Sequence, residues 1–298
     1  MSGGASASGP ALPRGLSASP ANRGSSALTP YLAVFAGRLE VTLQYRAAAF
    51  AGFITQCWFG VIRILIFAAF YAGGAAHAPM SLANAVTYTW LGQAFLAFLP
   101  WNADPDVAEM VRSGAIAYER LRPVDTYAWW FMRALAWSVA RVLPRAALMT
   151  LFAAVLLPLV GLGKWGLPPP VSLAAAGWFA ASALAMVLLS AAFTLVINIV
   201  MTATLTDRGP NTLMAPLVNL LSGAVVPLAF FPDVARPWLR AQPFAGLVDI
   251  PFSIYFGGIS GWGAAGGVAL QLGWTVALVL FGRAWLERVM RRLVVQGG

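Results

Sequence analysis

Six apolar runs alternate with short polar connections along this chain, at about 47–72, 82–101, 142–163, 172–203, 211–231 and 262–283. Each approaches or exceeds the roughly 20 residues a helix needs to cross the hydrocarbon core of a bilayer. The second run is the most diluted, by Asn84, Thr87, Thr89, Gln93 and Trp101. Ahead of the first, residues 30–46 mix Tyr31, Leu32, Val34, Phe35 and Leu39 with Arg38, Glu40, Gln44 and Arg46. That mixture predicts an amphipathic helix lying along the membrane interface. Residues 232–261 are semi-apolar but broken by Pro232, Pro237, Pro243 and Pro251. They predict a re-entrant or interfacial helical hairpin that packs on the bundle, because irregular backbone at membrane depth needs protein or water around it. Residues 1–29 are rich in Ser, Ala, Gly and Pro and lack the apolar stretch of roughly 7–15 residues of a secretory signal. The pattern predicts a disordered cytoplasmic tail over 1–29 and an all-α, polytopic membrane domain of six spans over 30–298.

Composition strengthens this reading. Of 298 residues, 60% are apolar and 10% charged, against about 25% charged in a soluble domain. There is too little charge to cover a water-soluble fold of this size. The net charge is +9, which elsewhere can mark nucleic-acid binding. Here most arginines flank the apolar runs and read as topology signals, so nucleic acid is not an expected partner. Arg14, Arg23, Arg38 and Arg46, the arginines of 102–145, Arg208 and the arginines after 282 all fall on one side. Lys164, Arg236 and Arg240 fall on the other. By the positive-inside rule both termini are cytoplasmic, with the chain multi-pass in the cell (inner) membrane. The one cysteine, Cys57, sits within an apolar run, and the one histidine, His77, in a short loop. An intramolecular disulfide is excluded, and no metal site is expected.

Absences narrow the energy source. A proton-coupled carrier places an acid or His within the membrane as its relay. None of the ten acidic residues falls in the middle of a predicted span, although Asp249 lies in the proline-broken segment. The phosphate-cradling pattern G-x-x-x-x-G-K-[ST] is also absent, since Gly161, Gly163 and Lys164 lack its spacing. A pump built on this chain needs its motor on another.

The connection at 102–133 carries the clearest local signals. Asp104 followed by Pro105 is a helix start, and Asp106 with Glu109 has the spacing of a capping box. Gly114 is placed to close the helix. A short cytoplasmic helix is therefore expected between the second and third spans. It is either a solvated loop helix or a docking helix that passes force to a partner. Capping accounts for the Asp104–Asp106 pair more simply than a metal-binding D-x-D does.

The run Val111-Arg-Ser-Gly-Ala-Ile-Ala-Tyr-Glu-Arg-Leu-Arg-Pro-Val124 resembles the "IRSG…Y.LLRPV" stretch of ABC-2-type ABC transporter permeases. The nearest branch is the bacterial six-span subunit encoded with a separate ATPase. Phe231, Pro232, Leu239, Pro243, Phe244, Pro251, Ile254, Tyr255 and Gly257 are similar to a looser pattern of the same branch. Together the resemblance covers about residues 30–293. It implies a permease subunit of an exporter, with no cofactor on this chain and with ATP and Mg on the partner. It further implies two ATP-binding subunits and a second permease, the same chain or a similar one. The coupling helix would then comprise Asp104, Asp106, Glu109, Met110, Arg112, Ser113 and Gly114, continuing through Tyr118, Arg120, Arg122 and Pro123. Spans one, two and five would line the route.

Candidate pathway residues lie on those spans. Gly52, Gln56, Gly60 and Arg63 recur at helical spacing on one face of span one. Arg63 reads either as a structural lock, snorkelling outward or pairing with Asp233 or Asp249, or as a contact for an anionic or polar substrate. Asn219 and Ser222 are the corresponding polar positions of span five, where Pro216 and Pro227 predict bends. The stripe Ser190, Thr194, Asn198, Thr202 in span four reads as glue between helices. The cargo fits a small amphipathic molecule, a peptide or a lipid. Two alternatives stand beside the exporter: a membrane-embedded transferase for lipid-linked substrates, and a partner-free channel or scaffold.

Overall fold

The computed structural model describes residues 28–44, 46–74, 78–121, 123–206 and 208–296. The tail expected over 1–29 lies outside the described residues except for its last two, as do His77 and Arg122. Every regular element among the described residues is helical. In chain order these are α1 (Thr29–Leu43), α2 (Arg46–Ala72), α3 (Leu82–Phe95), α4 (Pro105–Arg112), α5 (Thr126–Leu151), α6 (Leu157–Leu159), α7 (Leu173–Thr204), α8 (Arg208–Leu221), α9 (Arg236–Ala241), α10 (Asp249–Tyr255) and α11 (Gly261–Gln296). A π turn at Phe152–Leu156 joins α5 to α6, so the two run as one helical path.

Among the described residues, four helical stretches are long and apolar enough to cross a membrane: Phe50–Ala72, Thr126–Leu159, Leu173–Thr204 and Gly261–Arg292. The other two expected spans appear as shorter helices. α3 and α8 have 14 residues each, or about 21 Å at 1.5 Å per residue. The third span also starts earlier than its hydropathy suggests. The run expected from about 142 instead follows directly on Asp125, which caps α5 by accepting from the Ala128 N–H at 2.8 Å. Arg133, Arg141 and Arg145 therefore sit on a helix. Arg141 donates to the Ala97 carbonyl at 2.7 Å and stacks 3.6 Å over the Trp137 ring. Hydropathy counts such a residue as loop because it cannot see its partner.

α7 is the central post, packed by α11, α5 and α10, with buried residues along most of its length. Its polar stripe binds helices together as expected. Ser190 donates to the Phe98 carbonyl, and the Asn198 amide oxygen accepts from the Asp104 N–H at 2.8 Å. Thr194 and Thr202 return to their own helix. The proline-broken segment enters the core. Asp249 through Tyr255 are all buried, with the Ile250 methyl close against Gly267 of α11.

The least regular part of this core is the end of α8. At Gly223 the chain takes a left-handed turn (φ +86°) and stops being helical. Four successive carbonyls there lose their helical partners, and each gains a donor from elsewhere. Gln242 donates to the Leu221 carbonyl at 2.7 Å and the Asp249 N–H to that of Ser222 at 3.2 Å. The Tyr88 hydroxyl donates to the Gly223 carbonyl at 3.1 Å and Arg63 to that of Ala224 at 2.7 Å. Asp249, wholly buried, accepts from the Leu228 N–H and pairs with Arg240 at 3.3 Å. In apolar surroundings each unsatisfied group would cost several kcal/mol, so these donors allow the helix to end there.

A Cβ at Gly223 would lie 2.5 Å from the Tyr88 hydroxyl oxygen. Gly223→Ala combines that clash with a left-handed backbone, which costs an L-residue roughly 1–2 kcal/mol, plus about 1 kcal/mol for the lost hydrogen bond. It should lower the thermal unfolding midpoint of the detergent-solubilised protein by several degrees. Gly177→Ala in α7, whose Cβ would meet nothing within 4 Å, should leave that midpoint unchanged or raise it.

Candidate functional site

Two places bring the candidate residues together. The first is the connection between α3 and α5. Asp104 is the N-cap of α4 and accepts from the Asp106 N–H at 2.9 Å, with Pro105 as the first helical residue. Ser113 and Gly114 end the helix, Gly114 at φ +74°. The Asp106–Glu109 capping box does not form, because the cap lies two residues earlier. Glu109 instead pairs with Arg112 at 2.8 Å.

The cap is tied into the bundle. Arg38 of α1 pairs with Asp104 at 2.8 Å and also with Asp106, which Arg133 of α5 approaches at 3.3 Å. The Ala103 N–H donates to Asn211 of α8 at 2.9 Å, beside the Asp104–Asn198 bond already described. Four helices thus hold three residues of chain, Ala103, Asp104 and Asp106. Asp104 is 1% exposed and Arg38 15%. Burial raises the Asp104 carboxyl above the usual carboxylate range, while Arg38 and then Arg133 oppose the rise. Below the cap, Val107, Ala108 and Ile116 join Tyr127, Trp130, Ile197, Leu286 and Met290 in a second apolar cluster, separate from the main one. Glu119 is buried there and accepts from the Trp130 indole at 3.0 Å. This unit presents an outer face of Arg112, Ser113, Gly114, Tyr118, Leu121 and Pro123, all exposed, with Met110 half-buried. The Arg120 side chain lies outside the described residues, as does Arg122.

The second place is a cavity of about 750 Å³ between α2, α3 and the chain around the end of α8. Three predicted pathway residues, Gln56, Arg63 and Asn219, line it. Gly60 and Ser222 stand beside it with packing roles. A Cβ at Gly60 would lie 2.7 Å from the Trp90 ring, so this glycine lets α3 approach. Ser222 is wholly buried and accepts from the Ala224 N–H at 3.2 Å. Arg63 pairs with neither Asp233 nor Asp249; its partner is the Ala224 carbonyl. Sequence reasoning missed Gln93 and Trp101, which also line the cavity. Both were visible only as polar dilution of the second run. Phe67, Phe70 and Phe230 close one end, their rings about 6 Å apart.

Replacing Asp104 tests the anchor of the first site. Asp104→Ala removes both the cap and one partner of a buried guanidinium, and should cost roughly 2–3 kcal/mol. Asp104→Asn keeps a good cap and should cost about 1 kcal/mol. Thermal unfolding of the two variants against the unsubstituted protein reads the difference.

The family model described as "ABC-2 family transporter protein" matches residues 58–297. No curated protein and no solved structure matches the chain. The match takes in the α4 unit, the central α7 post, the broken α8 and the buried α10, and the described residues include four helices long and apolar enough to cross a bilayer. The chain is therefore a multi-pass membrane protein of the ABC-2 transporter family, a transport subunit and not a catalytic enzyme.

Proposed function

We propose that this chain is the permease of an ATP-driven exporter and that the face carrying Arg112, Tyr118 and Leu121 is where a separate ATP-binding subunit docks. The observation that carries this reading is the anchorage of α4. A solvated loop helix has no need of a nearly buried Asp104–Arg38 pair or of two asparagines from α7 and α8 gripping the chain before it. A lever needs both. Force applied to the outer face passes through α4 to α1, α5, α7 and α8, which hold its start by ion pairs and hydrogen bonds. Tyr118 is 70% exposed and Leu121 78%, apolar surface of the kind a partner covers. Arg112, 59% exposed and paired with Glu109 on its own helix, carries a guanidinium of the kind that forks onto a carboxylate across an interface.

In this reading the chain crosses the membrane six times. α3 with its 3-10 turn and α8 with the segment to Phe230 supply the two short spans, and α9–α10 form the re-entrant hairpin. The protein lies in the cell (inner) membrane with both termini facing the cytoplasm, in keeping with the arginines at that end. ATP and Mg stay on the partner, in two copies, and a second permease completes the route. The cavity between α2, α3 and α8 is the cargo path, and α3 leads directly into the α4 lever. A transferase is disfavoured by the pairing of Asp104 and Asp106 with Arg38, which leaves neither as a free acid or base.

Purification in mild detergent from its own membrane tests this reading. About one ATP-binding chain per permease should accompany the protein. The variant carrying Arg112→Glu, Tyr118→Ala and Leu121→Ser should keep its unfolding midpoint within about a degree, since these side chains are exposed, and lose the ATP-binding chain. If no such chain appears, or if it stays with the variant, the docking proposal fails.

A further inference from the structure

Most polar side chains among the apolar helices already have work holding irregular backbone. Arg63, Tyr88 and Gln242 cap the end of α8, and Gln271 serves the carbonyls of Ser182 and Gly246. The Trp90 indole donates to the Trp165 carbonyl at 2.7 Å, and the Tyr255 hydroxyl to that of Pro168 at 2.7 Å. Among the buried groups without a partner, which include the Tyr127 and Ser138 hydroxyls, three share one cavity. The Oε1 atoms of Gln56 and Gln93 and the Nε1 of Trp101 are buried with no hydrogen-bond partner. Gln56 is 5% exposed and Gln93 3%. Leaving such groups unpaired is costly, and unpaired groups in a native fold call for an explanation. The three come from different stretches of chain, yet all line the same 750 Å³ cavity.

We propose that these three groups, with Arg63, are the recognition set of a ligand site for an amphipathic molecule that is neutral or singly anionic and whose polar end carries both hydrogen-bond donors and acceptors. The inference rests on the proposed function in taking the cavity as part of the cargo route. Two amide oxygens need donors, such as hydroxyl or amide N–H groups, and the indole N–H needs an acceptor. Among the described residues, Arg63 is the only charged one lining the cavity. It has N–H groups beyond the one given to Ala224, since a guanidinium carries five. A cationic head would meet that charge in a low-dielectric wall with no carboxylate to balance it. The far end, closed by Phe67, Phe70 and Phe230, takes the apolar body. The volume is that of a site for a molecule of drug size.

Three photoaffinity probes with one diazirine-bearing acyl chain and different heads test this. They are an N-acylethanolamide (neutral, donor and acceptor), an N-acylglycine (anionic) and an acylcholine ester (cationic). The full chain is placed in phosphatidylcholine nanodiscs, irradiated and mapped by peptide mass spectrometry. The first two probes should label the Phe59–Phe70 wall at least about tenfold more than the cationic one, and unlabelled amphiphile of the same head should compete. Gln56→Leu and Gln93→Leu should weaken that labelling by about tenfold. The same variants should leave the unfolding midpoint unchanged or raised, because an unpaired buried amide is replaced by an apolar group of similar shape. Equal labelling by all three heads, labelling that unlabelled amphiphile does not compete, absence of labelling at this wall, or labelling indifferent to both leucine variants would each overturn the proposal. Occupation by bilayer phospholipid would appear as the second or third of these. The nanodiscs contain no ATP-binding chain, so this result is independent of whether such a chain co-purifies.

Discussion

A polypeptide in an apolar medium must satisfy every backbone N–H and C=O from within, and this fold is organised around the places where helices stop doing so. The clearest is the end of α8, where Arg63, Tyr88, Gln242 and the Asp249 N–H meet four consecutive carbonyls. Those donors come from α2, α3, the α9–α10 connection and α10, so ending one helix fixes four other elements relative to it. The same logic operates at the start of α4. There the N–H groups of Ala103 and Asp104 are met by Asn211 and Asn198. It recurs at the π turn, where the Ala153 carbonyl accepts from the Leu167 N–H at 2.8 Å and only a glycine fits at 166.

This constraint links structure to transport. α8 has one end near the α4 anchor, through Asn211, and the other at the cavity, through the turn after Leu221. α3 ends beside the cavity, just after Gln93, and the chain continues through a 3-10 turn to the Asp104 cap. Movement of the α4 unit therefore reaches the cavity along α8, whose ends are held by side-chain hydrogen bonds from Asn211 and Gln242, and along the short stretch that follows α3. Hydrogen bonds of this kind exchange partners with little net change in free energy, which suits an element that must switch. The long helices α7 and α11 pack against each other along their lengths and provide the fixed frame.

Much of this was legible in the chain. Asp104-Pro105 and Gly114 bound α4 because capping chemistry is local. The small and polar face of Gly52, Gln56, Gly60 and Arg63 does face the bundle, since helical spacing fixes which residues share a side. The Ser190–Thr202 stripe acts as glue, although its two key partners, Phe98 and Asp104, lie some ninety residues away. What escaped was tertiary. The Arg63 partner is a carbonyl 161 residues on, and no acidic residue signalled it. Arg133, Arg141 and Arg145 read as loop because hydropathy charges them full desolvation, while in the fold they meet a carboxylate, a carbonyl and a close-packed glycine. Gln93 and Trp101 looked like dilution of a weak span. Only the cavity reveals that they stand together with Gln56.

If the α4 unit transmits a partner's force, a photo-crosslinking amino acid at position 118 captures that partner in the living cell. Tyr118 points outward from a rigidly held unit, so irradiation should join this chain to an ATP-binding protein as one dominant adduct. The same probe at Trp262, exposed at the opposite end of the bundle, should not form it. Crosslinks from position 118 to lipid alone, or to no protein at all, would contradict the account.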